Sequence, residues 1–255
     1  MIDYDFKDGA AWITLADGDR GNTLTAESGD ELLAAVRRAH ADAARVIVLR
    51  ATGRFFSAGG DIGGFAGAAD VRNYLEDLAE ALHLIISTLI RSEAIVVSAV
   101  HATAAGAGFP LAAAADVVLA GESAKFTLGY TKIGLSPDGG TTLLVHSLGL
   151  HTALRLALLN DVITADEAHR LGVVARVVPD ESLAEVTEQV VAQLLAGSAT
   201  AQADAKRLLR QVADQAPEVA MRRESLAISA NAVRADGREG VAAFLGKRPP
   251  RFNTF

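Results

Sequence analysis

The chain has 255 residues, half of them hydrophobic, and a formal net charge of −7. This length is sufficient for one large domain with a sizeable core. An acidic chain lacks the clustered positive charge that binds phosphate backbones, so we do not expect nucleic acid as the main partner. Cysteine is absent, which excludes disulfides, thiolate catalysis and cysteine-based metal sites. The six histidines are scattered, and we expect no metal.

Nothing in the sequence indicates a membrane protein. The N-terminal stretch "MIDYDFKDGAAWITL" lacks the basic-then-apolar layout of a signal peptide. The uncharged stretch from residue 94 to residue 115 has the length of a membrane span. It is rich in alanine and glycine and contains His101 and Pro110, a composition that suits close packing inside a protein better than lipid contact. We therefore expect a soluble, cytoplasmic protein.

Strands and helices alternate along the first two thirds of the chain. "AAWITLA" predicts a strand, and the amphipathic segment after it predicts a helix capped by Thr25. "ARVIVLRA" and "AIVVSAV" predict buried strands on either side of the long helix "DVRNYLEDLAEALHLIISTLIRS". "FPLAAAADVVLAG" predicts a helix that runs into a strand, and "TTLLVHSLGL" predicts a further helix. "TADEAHRLG" predicts a helix with a capping box from Thr164 to Glu167, followed by the short strand "VVARVVP".

From Leu183 onward the pattern is almost wholly helical. Alternating strands and helices followed by helices alone predict an α/β fold with a helical C-terminal part. We place a core domain at residues 1–190 and a helical C-terminal region at residues 191–255.

Two glycine-rich loops, "FFSAGGDI" at 55–62 and "TAAGAGFPL" at 103–111, each follow a buried strand and precede a helix start. Neither matches a phosphate-binding loop or the full dinucleotide fingerprint. Small side chains allow a ligand to reach the backbone, and free N–H groups at a helix start stabilise an oxyanion. Tight packing between elements explains either loop taken alone.

Five motifs resemble, in order and spacing, those of the crotonase family, the enoyl-CoA hydratase/isomerase superfamily. They are "FFSAGGDI", "AAGAGFPLAAAADVVLA", "AKFTLGYTKIGLSPDGGTT", "LLNDVITADEAHRLGVVARVV" and "EGVAAFLGKRPPRF". The resemblance implies a spiral of ββα units with a helical C-terminal region at a trimer interface. It also implies a homotrimer or a dimer of trimers that acts on an acyl-CoA thioester, with no cofactor because CoA is part of the substrate.

The resemblance assigns a set of site residues by motif position. The backbone N–H groups of Gly60 and Ala107 would hold the thioester oxygen, where removal of an α-proton places negative charge. The substrate-binding positions of the motifs fall on Ala58, Asp61, Ile62 and Tyr130.

Two positions argue against hydration of a double bond. Hydratases of this family use two glutamates, and the resemblance aligns their positions with Pro110 and Tyr130. Proline carries no proton, and a tyrosine with a pKa near 10 is a poor base at neutral pH. Since addition of water needs positioned acid and base groups, the sequence favours an isomerase over a hydratase.

Asp138 in "GLSPDGGTT" is the candidate catalytic residue. It occupies the acid/base position of isomerases similar to the phenylacetate-pathway ring-opening isomerase. One carboxylate suffices to shift a double bond, because it takes a proton from C2 and returns it at C4. The same motif before an apolar helix is typical of an N-cap aspartate, and the two roles can coexist.

Two other functions stay open. With both glutamates absent, the chain could be a paralogue that binds acyl-CoA with little or no hydratase activity. In the dehalogenase and thioester-hydrolase branch of the family a similarly placed aspartate is the nucleophile, and the chain resembles that branch at Asp138 and His83. We interpret His83, on the long predicted helix, as a packed core histidine rather than as a residue of the acyl pocket.

The C-terminal segment "AAFLGKRPPRF" resembles the family's CoA-contacting segment. We expect Phe244 to stack near the adenine and Lys247 to pair with a CoA phosphate, across a subunit interface. Lys247, Arg248 and Arg251 form a basic cluster in an acidic protein, which favours phosphate recognition. A solvated basic tail is the alternative.

Overall fold

The structure is a computed structural model and describes residues 1–213 and 216–252. Within these residues the strands are β1 Ile2–Lys7, β2 Ala10–Leu15, β3 Val46–Ala51, β4 Phe55–Ser57, β5 Ile95–Val100, β6 Thr103–Ala105, β7 Val117–Gly121, β8 Lys125–Thr127, β9 Ile163–Thr164 and β10 Arg176–Val178. The α-helices are α1 Ala26–Ala41, α2 Ile62–Ala66, α3 Val71–Arg91, α4 Gly108–Ala113, α5 Val145–Leu148, α6 Leu150–Leu159, α7 Ala165–Arg170, α8 Leu183–Ala196, α9 Ala199–Ala213, α10 Pro217–Ala232 and α11 Ala235–Leu245. Short 3-10 helices lie at Gly18–Arg20, Tyr130–Ile133, Thr141–Leu144 and Asp180–Ser182.

The strands form two sheets, and from β3 to β8 successive strands alternate between them. The larger sheet has the order β1-β2-β3-β5-β7-β10, and the smaller one has the order β4-β6-β8-β9. Pairing is parallel except for β1 with β2 and for β8 with β9. Strands β3 and β4 with α2, and strands β5 and β6 with α4, each form a ββα unit. The predicted α/β class with ββα units is therefore confirmed.

The larger sheet is covered on both faces, which explains the continuous apolar runs in its central strands. Alternate residues of β3 point to opposite sides. Ile47 and Leu49 belong to the main core, which also contains the inner faces of α1 and α3. Val46 and Val48 belong to a second core cluster, which contains Val190 of α8. The predicted boundary at residue 190 thus falls inside a helix that covers the sheet.

A buried lysine anchors α9 to the core. Lys206 Nζ donates to the carbonyls of Leu89 at 3.0 Å and Ala94 at 2.9 Å, and it lies 2.8 Å from Asp116 Oδ2. Asp116 also accepts a hydrogen bond from the Val96 N–H at 2.9 Å. These contacts fix α9 against the end of α3 and the start of β5.

Helix α10 packs along α3 through polar pairs at its edge. Glu218 pairs with Arg91 at 2.6 Å, Arg222 pairs with Glu80, and Ser229 donates to Glu76 at 3.0 Å. The C-terminal region therefore lies against the helix that carries His83.

Two local features differ from the sequence prediction. The segment "TTLLVHSLGL" is not one helix, because Gly149 adopts φ 72° and separates α5 from α6. The first strand, β1, was not predicted, although Ile2, Tyr4 and Phe6 alternate with charged residues. None of the helices in the described parts of the chain is long and apolar enough to cross a membrane, and the uncharged stretch 94–115 folds into β5, β6 and α4.

Candidate active site

A cleft of about 870 Å³ lies at the carboxyl ends of β4, β6 and β8, the three parallel strands of the smaller sheet. Loops after parallel strands are a common place for ligand sites. Helices α3, α10 and α11 contribute apolar side chains, among them Leu78, Ile228 and Phe244. The site residues expected from the sequence that line this cleft are Ala58, Gly60, Asp61, Ile62, Ala107, Tyr130, Asp138 and Phe244.

The first glycine-rich loop is held by a buried serine and by a bridge to Leu24. The Ser57 hydroxyl donates to the Asn22 carbonyl at 2.8 Å and accepts from the Gly59 N–H at 3.1 Å. The Leu24 N–H donates to the Gly59 carbonyl at 2.8 Å, and the Asp61 N–H donates to the Leu24 carbonyl at 3.1 Å. Neither of these hydrogen bonds uses the Gly60 N–H group, and Gly60 lines the cleft.

The second glycine-rich loop brings another N–H group to the same place. Ala107 immediately precedes α4, so its N–H is one of those at a helix start that have no acceptor within the helix. Gly59 has φ 90°, and a Cβ atom there would lie 2.8 Å from the Ala105 carbonyl oxygen and 3.3 Å from Ala107 N. Only glycine permits this approach. The two loops are therefore adjacent, an arrangement that can bind an oxyanion.

The turn that carries Asp138 packs between the second loop and α3. Gly139 and Gly140 both have positive φ, 67° and 86°. A Cβ atom at Gly139 would lie 2.8 Å from Ala107 Cβ, and one at Gly140 would lie 3.0 Å from Ile86 Cδ1. The two glycines thus allow left-handed backbone conformations, and they place no side chain against Ala107 and Ile86.

The N-cap interpretation of Asp138 is wrong. The 3-10 helix Thr141–Leu144 begins after Gly140 and has no side-chain cap of its own. The Asp138 carbonyl accepts from the hydroxyls of Thr141 at 2.7 Å and Tyr130 at 3.0 Å. Its side chain points to α3 instead, with Oδ1 2.8 Å from His83 Nε2, because the two glycines turn the chain between Asp138 and the helix. Asp138 is 6% exposed and lines the cleft.

His83 is buried, as expected, but it also contacts the candidate acid. Its Nε2 atom lies 2.8 Å from Asp138 Oδ1 and 3.8 Å from Glu224 Oε2. Two carboxylate oxygens on the same side of the ring favour a proton on Nε2, which then donates to Asp138.

Glu224 was not identified from the sequence. This residue of α10 accepts from the Gly140 N–H at 2.8 Å, from the Thr142 N–H at 2.7 Å and from the Thr142 hydroxyl. The pKa of Glu224 is raised above its ordinary value, mainly by burial and also by the charge of Asp138, although hydrogen bonds from Thr142 and Gly140 oppose the increase. Glu224 therefore caps the 3-10 helix, the role that the sequence suggested for Asp138. No local pattern links two residues so far apart in the chain.

The two positions aligned with hydratase glutamates hold no carboxylate. Tyr130 is buried, and its pKa lies well above 10 because of burial and of the charges of Asp138 and Glu224. It is a neutral hydrogen-bond donor to the turn. Pro110 is buried in α4 and lines a different cavity.

Among the described residues, His83, Asp138 and Glu224 form a group of three whose potential metal-binding atoms all lie within 4.8 Å of one another. The Glu224 carboxylate already accepts donors from the turn, and His83 Nε2 faces Asp138 at hydrogen-bond distance. A cation would displace these donors, so the contacts suit a cluster that holds protons better than a metal centre.

The C-terminal basic cluster is only partly available to a ligand. Arg248 makes two hydrogen bonds to Glu239, at 2.6 and 2.8 Å, and the Arg251 N–H also donates to Glu239 at 2.6 Å. Lys247 is exposed and is not among the residues that line the cleft, whereas Phe244 lines it and is 54% exposed. The structure thus brings Phe244 to the cleft and leaves Lys247 outside it.

Comparison with known proteins agrees with this architecture. A family model described as "Enoyl-CoA hydratase/isomerase" matches residues 5–254. The chain is 38% identical to a Rhodobacter capsulatus protein named "Probable enoyl-CoA hydratase", over 98% of this chain and 97% of that protein. It is 34% identical to the 1,2-epoxyphenylacetyl-CoA isomerase of Escherichia coli, over 96% of this chain and 95% of that protein. A crystal structure of an enoyl-CoA hydratase from Mycobacterium avium subsp. paratuberculosis superposes with a TM-score of 0.89 at 30% identity, covering 99% of this chain and 98% of that one.

Proposed function

Because the chain belongs to the enoyl-CoA hydratase/isomerase family and has the crotonase fold, we propose that it is an enoyl-CoA double-bond isomerase with Asp138 as its acid/base. The observation that carries this proposal is the buried position of Asp138 on the wall of the cleft, next to Ala107 through the contact at Gly139. The two relatives have different activities in their names, so the choice rests on the side chains of the cleft.

The proposed reaction needs one carboxylate and two N–H donors. Asp138 takes a proton from C2 of the thioester, and negative charge develops on the thioester oxygen. The N–H groups of Gly60 and Ala107 stabilise that charge, each by about 3 kcal/mol. Asp138 then returns the proton at C4, which completes the shift of the double bond. Hydration would need a second acid/base group, and Pro110 and neutral Tyr130 do not supply one.

One contact favours a second candidate function. In the dehalogenase and thioester-hydrolase branch a similarly placed aspartate is a nucleophile, and the chain resembles that branch at Asp138 and His83. The 2.8 Å contact between the two side chains is the observation in its favour. An acyl-CoA-binding paralogue with little or no turnover is the remaining candidate.

A turnover panel separates these candidates. We expect the protein to convert a 3-enoyl-CoA to the 2-enoyl-CoA without adding water to the 2-enoyl-CoA. Release of halide from a halogenated aryl-CoA, or of the free acid from an aryl-CoA, indicates the nucleophilic branch instead. Absence of turnover with all of these substrates, together with measurable acyl-CoA binding, supports the paralogue and contradicts the isomerase.

For the assembly, we propose a homotrimer or a dimer of trimers. Apolar residues of α6 that recur every four positions are exposed, namely Leu150, Leu154 and Leu158. Residues at this spacing lie on one face of a helix. A row of exposed leucines favours burial against another subunit.

We propose that Lys247 binds a phosphate of a CoA molecule across a subunit interface. Phe244 stacks near the adenine of CoA. Replacing Lys247 with alanine should weaken acyl-CoA binding about three- to fivefold and reduce its salt dependence, because an exposed charge pair is weak and screened. Binding is measured calorimetrically at two salt concentrations. Lys7→Ala, an exposed lysine at the end of β1, is the matched control. Unchanged affinity and salt dependence in Lys247→Ala contradict the assignment.

A further inference from the structure

Glu224 lies 86 positions after Asp138, yet its carboxylate is fixed to the turn that carries Asp138. It accepts the N–H groups of Gly140 and Thr142 at 2.8 and 2.7 Å, and also the Thr142 hydroxyl. It is 4% exposed and is not among the residues that line the cleft. Glu224 therefore holds the turn from behind, where it does not meet a substrate.

Glu224 also supplies a second carboxylate to the cluster. His83 Nε2 lies 2.8 Å from Asp138 Oδ1 and 3.8 Å from Glu224 Oε2, so one N–H group faces two acids. Burial raises the pKa of Glu224, whereas the three donors from Thr142 and Gly140 stabilise its carboxylate form. Of the other titratable groups at this place, Tyr130 is neutral and donates to the Asp138 carbonyl.

Charges elsewhere on the two packed helices are paired with one another. Arg222 of α10 contacts Glu80 of α3 and lies 3.9 Å from Glu76 of the same helix. All three side chains are more exposed than Glu224. The charge that acts on the His83–Asp138 pair from α10 is therefore that of Glu224.

We propose that Glu224 is a positioning residue for Asp138: it fixes the turn that carries Asp138 and presents a second carboxylate to the His83 N–H. The inference rests on the proposed role of Asp138 as acid/base. It adds that the catalytic geometry is completed by α10, a helix of the C-terminal region.

Two consequences follow from this arrangement. Loss of the clamp lets the turn move, and a small displacement of a catalytic group lowers turnover without weakening substrate binding. Loss of the negative charge makes protonation of the remaining cluster less favourable, since a nearby anion favours proton uptake. The acid limb of the activity profile, where the base becomes protonated, then moves to lower pH.

The test is Glu224→Gln, which keeps the shape and removes the charge. We expect kcat to fall about 10- to 100-fold with KM within about twofold of wild type. We expect the acid limb of kcat/KM to move to lower pH. Glu218→Gln on the same helix is the control, because it also removes one charge but from an exposed pair with Arg91. It should leave kcat and the pH profile unchanged.

Thr142→Val is the second variant, for the case that Glu224→Gln does not fold. It removes the hydroxyl donor to Glu224 and keeps the charge and the Thr142 N–H. We expect a loss of kcat of about three- to tenfold, unchanged KM and no movement of the acid limb to lower pH. Wild-type kcat in folded Glu224→Gln overturns the proposal, as does a loss confined to KM. Unchanged kcat in Thr142→Val overturns it when Glu224→Gln is unfolded.

The same series separates this inference from the proposed isomerase. Exchange of the C2 hydrogen of an acyl-CoA with D₂O measures proton removal without requiring a double-bond shift. Exchange without isomerisation contradicts the proposed function and leaves Glu224 testable by the exchange rate. Isomerisation with an unaltered Glu224→Gln profile contradicts the inference alone. A wild-type protein with neither activity contradicts both.

Discussion

Replacing Asp138 with asparagine is expected to lower double-bond isomerisation by about 10³-fold or more, while the protein stays folded. Asparagine has nearly the same shape, and its side-chain oxygen can still accept the His83 N–H that lies 2.8 Å from Asp138 Oδ1. The contacts of the Asp138 carbonyl with Thr141 and Tyr130 are made by the backbone and are unaffected. The amide cannot take a proton from C2, so the variant retains the structure and loses the base.

The measurement is kcat/KM for a 3-enoyl-CoA, together with the free energy of unfolding of each variant. Asp161→Asn is the matched control, since Asp161 is the next acid along the chain and makes a 3.7 Å pair with Arg155 at the surface. It should be as active as wild type. Isomerase activity that survives in folded Asp138→Asn removes Asp138 from the mechanism, and the acyl-CoA-binding paralogue then becomes the leading interpretation.

Much of the fold follows from local patterns. The apolar runs of β3 and β5 predict buried parallel strands, and both are central in the larger sheet. Thr25 caps α1 through the Ser28 N–H at 3.1 Å, and Thr164 accepts from the Glu167 N–H at 3.2 Å. These elements are predictable because their signals lie within a few residues of the structure they determine.

Local sequence patterns do not predict the smaller sheet. Its strands β4, β6, β8 and β9 have two or three residues each, too few for alternation to be visible. Two of them, β4 and β6, lie inside the glycine-rich loops 55–62 and 103–111, and the pairing of all four strands joins distant parts of the chain. This sheet nevertheless positions the cleft. The site residues are therefore predicted from the family motifs and not from hydrophobic periodicity.

The candidate site was predicted as single residues and not as a cluster. Motif position identified Gly60, Ala107 and Asp138, and all three border the cleft. The contact of Asp138 with His83 and the capping by Glu224 join three distant segments of the chain. Sequence alone made a local cap the natural role for an aspartate before a helix. Because α10 packs against α3, Glu224 caps the 3-10 helix, and the Asp138 side chain lines the cleft instead.

The second glycine-rich loop is in contact with the turn that carries Asp138. A Cβ atom at Gly139 would lie 2.8 Å from Ala107 Cβ, so the turn after Asp138 rests on the residue that offers the second N–H donor. A change at Ala107 that alters only the N–H group is therefore preferable to one that enlarges the side chain, because the latter would also displace Asp138.

Ala107→Pro removes the N–H group and adds no charge, and its two extra ring carbons close on the backbone nitrogen instead of extending away from Cβ; we expect it to lower turnover by about 100-fold or more. Ala107 has φ −63°, which is the value that a proline ring imposes, and it precedes the first residue of α4, where a missing N–H breaks no helical hydrogen bond. The variant should remain folded, with a melting temperature close to that of wild type. Ala107→Gly keeps the N–H and adds no atoms beside the turn that carries Asp138, so it serves as the control that retains the donor. If folded Ala107→Pro isomerises a 3-enoyl-CoA at a near-normal rate, the Ala107 N–H does not stabilise the transition state, and the proposed oxyanion hole is wrong at this residue.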